Sequence, residues 1–236
     1  MYLSDVEVTD VTSDTERIDG AIFMSKANKA GCSSLIVFGD SLSDDGIEFG
    51  DNSYGFERNC NGPVWPEYLS QLLSCKKYIN YAYSGAKSGY DNVYFTGWSG
   101  LLWQFETFIN NTPLIPTGMI IIMNIIDPTD APGMQSAELG SGLIDDVSQL
   151  VVNTNSRINK MIINHKSMSP KVALFDLNSI LLDLTKYLNK NSQFTYQKQN
   201  FTLREIFDYA YYDLWNPTTF VHYNIALKLI KLIEDI

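Results

Sequence analysis

The sequence predicts an α/β domain built on a parallel sheet, and three observations carry that expectation. Residues 34–46, SLIVFGDSLSDDG, open on the unbroken apolar run Leu35, Ile36, Val37 and Phe38. A run without alternation is the mark of a strand covered on both faces. Residues 117–126, TGMIIIMNII, repeat this pattern more strongly and predict a central strand. Segments of strand character at 35–38, 78–82, 117–126 and 171–177 alternate with stretches of helical periodicity. That alternation is the signature of parallel strands joined by crossover helices in one domain.

Residues 1–33 read as a polar N-terminal extension, and residues 34–236 as the domain. The first strand stops at Gly39-Asp40-Ser41-Leu42, which sets the Ser41 hydroxyl at the carboxyl end of a strand. Open α/β sheets place their ligands there. Asp44, Asp45 and Gly46 follow as loop residues, and 48–62 is a long loop rich in Gly, Asn, Asp and Ser. The segment 63–73, PVWPEYLSQLL, predicts a helix whose Trp65, Leu69, Leu72 and Leu73 share one face, with Pro66 in the first turn. The strand 78–82 runs into a loop of small residues, 83–89, where Gly85 lets backbone approach a ligand. Residues 98–110 predict an aromatic-rich helix. A long helix follows from Leu143, with Ile144, Val147, Leu150, Val151, Ile158, Met161 and Ile162 at helical spacing. The strand at 171–177 and the helix at 180–189 come next. Residues 203–209 have helical character, 213–216 is a turn, and 217–236 predicts the C-terminal helix with Val221, Ile225, Leu229 and Leu232 on one face.

Composition excludes some classes of function. The chain has 236 residues, 45% of them hydrophobic and 13% aromatic, with a formal net charge of −10. That charge repels nucleic-acid phosphate and anionic membrane surfaces. No run approaches the length of a membrane span, and the first 29 residues show no leader, which favours the cytoplasm unless a leader precedes them. The three cysteines, Cys32, Cys60 and Cys75, have no metal-ligand spacing, and a Cys60–Cys75 bridge is one pairing a secreted chain could make. No metal or cofactor is expected. Asn110-Asn111-Thr112 and Asn200-Phe201-Thr202 are glycosylation sequons, triplets that arise readily by chance.

Five stretches resemble the SGNH (GDSL) serine ester hydrolases. FGDSLSDDG (38–46) is similar to the family's nucleophile block, and NGPVWPEYLSQLL (61–73) to the segment after it. NYAYSGAKSG (80–89) is similar to the second block, KVALFDLNSILLDL (171–184) to the late strand and helix, and YYDLWNPTTFVHYNIA (211–226) to the last block. The resemblance implies a three-layer α/β/α, flavodoxin-like parallel sheet of about 4–5 strands. The sheet is reduced by one strand if the roughly 43 residues between Asp127 and Lys171 hold none. It implies Ser41 as nucleophile, Gly85 and the Ser41 amide as oxyanion donors, and Asp213 as the carboxylate of the triad. A small ester, acyl or glycan ligand follows from the same likeness, with a protein partner as a further expectation.

The same likeness exposes two departures. A serine hydroxyl needs an adjacent base to take its proton, and the oxyanion needs donors. The family's last block reads Asp-x-x-His-Pro-Thr; here Asn216 stands at the histidine position. Its third block reads Gly-x-Asn-Asp; here Asn124-Ile125-Ile126-Asp127 puts Ile126 at the asparagine position. Losing a triad base costs on the order of 10⁴ to 10⁶ in rate, and one oxyanion donor roughly 10² to 10³. Asn124 is the candidate substitute donor, since a bulge would bring it to that position. His222 reads as a packed or solvated helix residue (the family often has a histidine there without a catalytic role), and His165 as a solvated loop residue. Asn216 before Pro217 also makes a good helix N-cap. Three readings follow: an ester-hydrolase relative with impaired or lost catalysis, an active carboxyl-ester or lipid acyl hydrolase with a non-standard base, and a structural subunit.

Overall fold

A computed structural model describes residues 32–47, 58–111, 118–137, 140–165, 171–194 and 205–236. The polar lead up to residue 31, residues 48–57 of the long loop and the sequon at 200–202 lie outside them.

The chain is α/β with parallel strand pairs. Strand β1 (Leu35–Val37) pairs with β2 (Tyr78–Asn80), and β3 (Met119–Met123) with β4 (Lys171–Phe175), both parallel. Parallel neighbours need a crossover. Helix α1 (Trp65–Leu72) lies in the first, and α3 (Pro132–Ser136) and α4 (Ser141–His165) in the second. Helix α2 (Leu101–Asn111) leads into β3, α5 (Leu177–Thr185) follows β4, and α6 (Thr219–Glu234) ends the fold. Between β3 and β4 the described residues hold helices and no further strand.

The expected single sheet of 4–5 strands is instead two sheets of two strands each among the described residues. The strands run only three to five residues. Just beyond two of their carboxyl ends the backbone turns to amide side chains for partners, as described below. The expectation that β3 is central also fails: among the described residues it pairs only with β4, and Ile120 is 46% exposed. An apolar run cannot by itself tell a central strand from an edge one.

One core nonetheless spans both sheets. Val37 of β1 and Phe175 of β4 are buried in the same cluster as Leu69 and Leu72 of α1, Leu181 of α5, and Val221, Ile225 and Leu229 of α6. The predicted faces of α1 and α6 are therefore the buried ones. Helix α4 differs, because only Val151 and Ile162 of its expected apolar face are buried while Leu150 is 65% exposed. No helix of the described residues is long and apolar enough to cross a membrane.

The cysteine pairing is Cys32–Cys75, and Cys60 is free. This corrects the Cys60–Cys75 alternative. The parallel register sets Leu35 opposite Tyr78, so the chain three residues back on each strand brings 32 beside 75. The Lys76 N–H donates to the Cys32 carbonyl at 3.1 Å. Cys60 is buried against Pro217, and burial pushes its thiol up to about 12.

Candidate functional site

Ser41 sits where the sequence puts it, in the turn after β1. The Asp40 carbonyl accepts the Ser43 and Asp44 N–H groups, both at 3.0 Å, and the Asp40 carboxylate accepts the Leu42 N–H at 3.1 Å. Ser41 is half-buried. Gly39, just before this turn, is gripped by a side chain from α2. The fully buried Gln104 accepts the Gly39 N–H at 2.9 Å through Oε1 and donates to the Gly39 carbonyl at 2.8 Å through Nε2. The amide side chain thus gives the Gly39 N–H the acceptor a neighbouring strand would offer, and adds a second donor to the Gly39 carbonyl, which also accepts the Tyr83 N–H at 3.2 Å.

The first and second sequence blocks meet through Asp44. Its carboxylate is fully buried and accepts the Gly46 N–H at 2.9 Å, the Ser84 N–H at 2.6 Å and the Ser84 hydroxyl at 2.7 Å. A buried carboxylate is tolerable when such donors replace its water. Asp45 accepts from Tyr78 Oη at 2.8 Å; burial, and then the charge of Asp45, hold that phenol far above its ordinary value. Gly85 follows Ser84 at φ 82°, and a Cβ there would stand 2.7 Å from Asn92 Oδ1. Both conformation and space require glycine. Asn92 ties the loop down by donating to the Ser84 carbonyl at 2.8 Å and to Ser99 Oγ at 2.9 Å.

The third block is closed by amides as well. Asn155 of α4 accepts the Ile125 N–H and donates to the Ile125 carbonyl, each at 2.8 Å. Asn124, the expected substitute oxyanion donor, is buried with both ends of its side chain bound. Nδ2 donates to Asp176 Oδ1 at 2.7 Å, and Oδ1 accepts the Asn178 N–H at 2.9 Å. It fastens β3 to the start of α5. Burial raises the Asp176 carboxyl, but the donors Asn124 and Ser179 outweigh this and hold it below the usual range. Ile126 packs against the main core and carries no donor.

In the last block, Asp213 Oδ1 accepts the Trp215 N–H at 2.7 Å and the Asn216 N–H at 2.6 Å. Asn216 Nδ2 donates to both Asp213 oxygens, at 3.1 and 2.9 Å. The N-cap of α6 is Thr218, which corrects the reading of Asn216 as the cap. Asn216 turns back to Asp213 instead, and the Thr219 N–H of α6 is satisfied by Asn61 Oδ1 at 2.9 Å. That cap comes from 158 positions earlier in the chain, so no local signal reveals it. The turn is also docked on α3. The Gly133 N–H donates to the Leu214 carbonyl at 2.8 Å, and the Trp215 indole lies against Gly133, where a Cβ would overlap it.

His222 supplies no base here. His222 is fully buried, its Nδ1 accepts the Trp65 N–H at 3.3 Å, and burial pushes the imidazole down to about 3. Its Nε2 has no partner among the described residues. The packed reading of His222 holds, and the solvated one does not. His165 is the last residue of α4 rather than part of a loop.

The structure therefore joins Asp44 to Ser84, Asn124 to Asp176, and Asp213 to Asn216. The segment after residue 58 links the first of these to the start of α6, since Asn59 donates to Ser84 Oγ at 2.7 Å while Asn61 caps α6. Among the described residues no hydrogen bond joins Ser41 to Gly85, Asn124, Asp213 or Asn216, and no cluster of three or more His, Cys, Asp or Glu could hold a metal. Neither a family model nor a curated protein matches this chain.

Proposed function

We propose that this chain is an SGNH-like ester-hydrolase relative whose catalysis is impaired or lost, and which binds a small ester, acyl or glycan ligand at the Ser41 turn. The observation that carries this reading is the double donation from Asn216 to Asp213. In a triad the base both donates to the carboxylate and takes the serine proton. A carboxamide does the first and cannot do the second near neutral pH. The buried, neutral His222 and the apolar Ile126 support the same reading.

The test is covalent labelling of Ser41 by a fluorophosphonate, with Ser41→Ala as control. No labelling is expected, and robust labelling sinks the reading. Asn216→His probes the rest of the site: a gain in p-nitrophenyl ester turnover of roughly 10² or more, the usual scale for a general base, means the serine and its donors remain serviceable. A second reading, an active carboxyl-ester or lipid acyl hydrolase with a non-standard base, draws on Gly85, whose positive φ and tight surroundings admit only glycine. It requires wild-type turnover that Ser41→Ala abolishes.

A further inference from the structure

Residues 92–105, NVYFTGWSGLLWQF, carry no charged side chain in a chain of net charge −10. They open on a loop that exposes Val93, Tyr94 and Phe95, at 64%, 69% and 45%. Hydrogen bonds fix its backbone. The Val93 N–H donates to the Gly85 carbonyl and the Asn92 N–H to the Phe95 carbonyl, both at 2.8 Å. The Tyr94 N–H donates to Asn92 Oδ1 at 3.0 Å, and the Gly97 N–H to Asp91 Oδ1 at 2.7 Å. Tyr94 is thereby laid beside Gly85, where its ring edge would stand 3.1 Å from a Cβ. The Gly85 N–H itself donates to no group among the described residues.

Behind the loop, aromatic rings form a column. Phe95 meets Trp98 at 5.3 Å between ring centres, and Trp98 meets Tyr83 at 5.0 Å and Trp103 of α2 at 5.9 Å. Exposure falls along it, from Phe95 through half-buried Trp98 to buried Tyr83. The Tyr83 N–H donates to the Gly39 carbonyl at 3.2 Å, so the column stands beside the Ser41 turn. Phe95 at its outer end and Tyr94 next to it stay in water, and a further ring can extend the column there. Ring pairs at such spacings gain free energy beyond the area they bury. A glycan would instead need polar groups to replace the water on its hydroxyls. Those beside the loop are engaged inside the protein: Asn92 by Ser84 and Ser99, Asp91 by Gly97, and Ser84 by Asp44 and Asn59.

We propose that the ligand of the Ser41 turn carries an uncharged aryl group that packs on Tyr94 and Phe95. The proposal rests on the reading of the Ser41 turn as the ligand site and narrows the ligand to an aryl ester. Two unreactive ketones of equal carbon count serve as probes in saturation-transfer NMR titrations of the full chain: acetophenone, and methyl hexyl ketone as the alkyl control. Tyr94→Leu and Phe95→Leu keep apolar bulk and remove the ring. Each should weaken acetophenone about two- to tenfold and leave methyl hexyl ketone unchanged, with an unaltered circular dichroism spectrum. Tyr187→Leu, at an exposed tyrosine outside the loop, should change neither. Equal weakening of both ketones, or of neither, overturns the aryl assignment. Ser41→Val should weaken both ketones. If it does so while the leucine variants bind as wild type, the ligand site stands and the aryl contact falls. If the leucine variants act and Ser41→Val does not, the Ser41 reading falls while the aryl contact stands. A wild type that binds neither ketone overturns both.

Discussion

Asn216 Nδ2 donates to both carboxylate oxygens of Asp213, at 3.1 and 2.9 Å, while the Asn216 main-chain N–H donates to one of them at 2.6 Å. Side chain and backbone of one residue thus close the turn that carries it. The pairing needs a neutral donor on 216 and a charged acceptor on 213.

Asn216→Asp should therefore destabilise the fold in a pH-dependent way. Two facing carboxylates raise the pKa of the pair above that of the unfolded chain. Stability from a raised carboxyl is present at low pH and is lost as pH rises through the folded value. We expect the variant to fall short of wild type by about 1–3 kcal/mol at pH 7 and by less near pH 4. Thermal melts across that range decide it; a deficit constant with pH removes the pairing as its cause.

Gln104→Leu should cost about 1–3 kcal/mol, because it strands the Gly39 N–H, while the Gly39 carbonyl keeps the Tyr83 N–H as a donor at 3.2 Å. Gln104→Glu retains the acceptor for the Gly39 N–H and loses the donor for its carbonyl. It also buries a carboxyl, so it should weaken the fold as pH rises. Urea midpoints measure both, and a Gln104→Leu variant of wild-type stability would mean the clamp contributes nothing.

Gly133→Ala should displace the Trp215 indole from its seat and loosen the turn carrying Asp213 and Asn216. The expected loss is about 1–3 kcal/mol, the usual cost of overpacking. Adding Trp215→Ala to Gly133→Ala should remove most of that extra cost, since the clash partner is gone. Additive losses in the double-mutant cycle would separate the two residues.

His222 makes the fold acid-sensitive. Its native pKa of about 3 lies below the unfolded value near 6.5. The unfolded chain therefore binds the extra proton between those values, and stability falls as pH drops through that window, by up to about 1.4 kcal/mol per unit. His222→Gln should flatten the dependence of melting temperature on pH between 4 and 6.5. An unchanged slope would place the acid sensitivity elsewhere.

The Cys32–Cys75 bridge closes a span of 43 positions. On loop entropy, its reduction should cost about 2–4 kcal/mol. Native protein should react with no maleimide, since Cys60 is buried with a raised pKa, whereas unfolding without reductant should expose one thiol. Three reactive thiols on unfolding would rule the bridge out. Such a bridge fits an oxidising compartment better than the cytoplasm.

Strand positions and the apolar faces of α1 and α6 were legible because burial imposes a local period, and Trp65, Leu69, Val221 and Ile225 follow it. The long helix was legible as a helix but not as a half-covered one, since periodicity shows which side is apolar and not what lies against it. The fates of Asn124 and Asn216 were not legible. A carboxamide fits an oxyanion donor, an N-cap or a backbone clamp equally well, and the choice depends on partners such as Asp176 and Asp213.

Residue order alone shows an α/β chain with parallel pairing, Ser41 at a strand's carboxyl end, and an asparagine, Asn216, directly before Pro217. These are properties of local order, readable from spacing and residue type. That Cys32 meets Cys75, that Asn61 caps α6, and that Gln104 and Asn155 close the backbone just past β1 and β3 emerges from the folded chain alone. Each joins groups between 30 and 158 positions apart. The physical reason is that buried backbone and carboxylate groups must find partners, and which partners reach them is settled by packing.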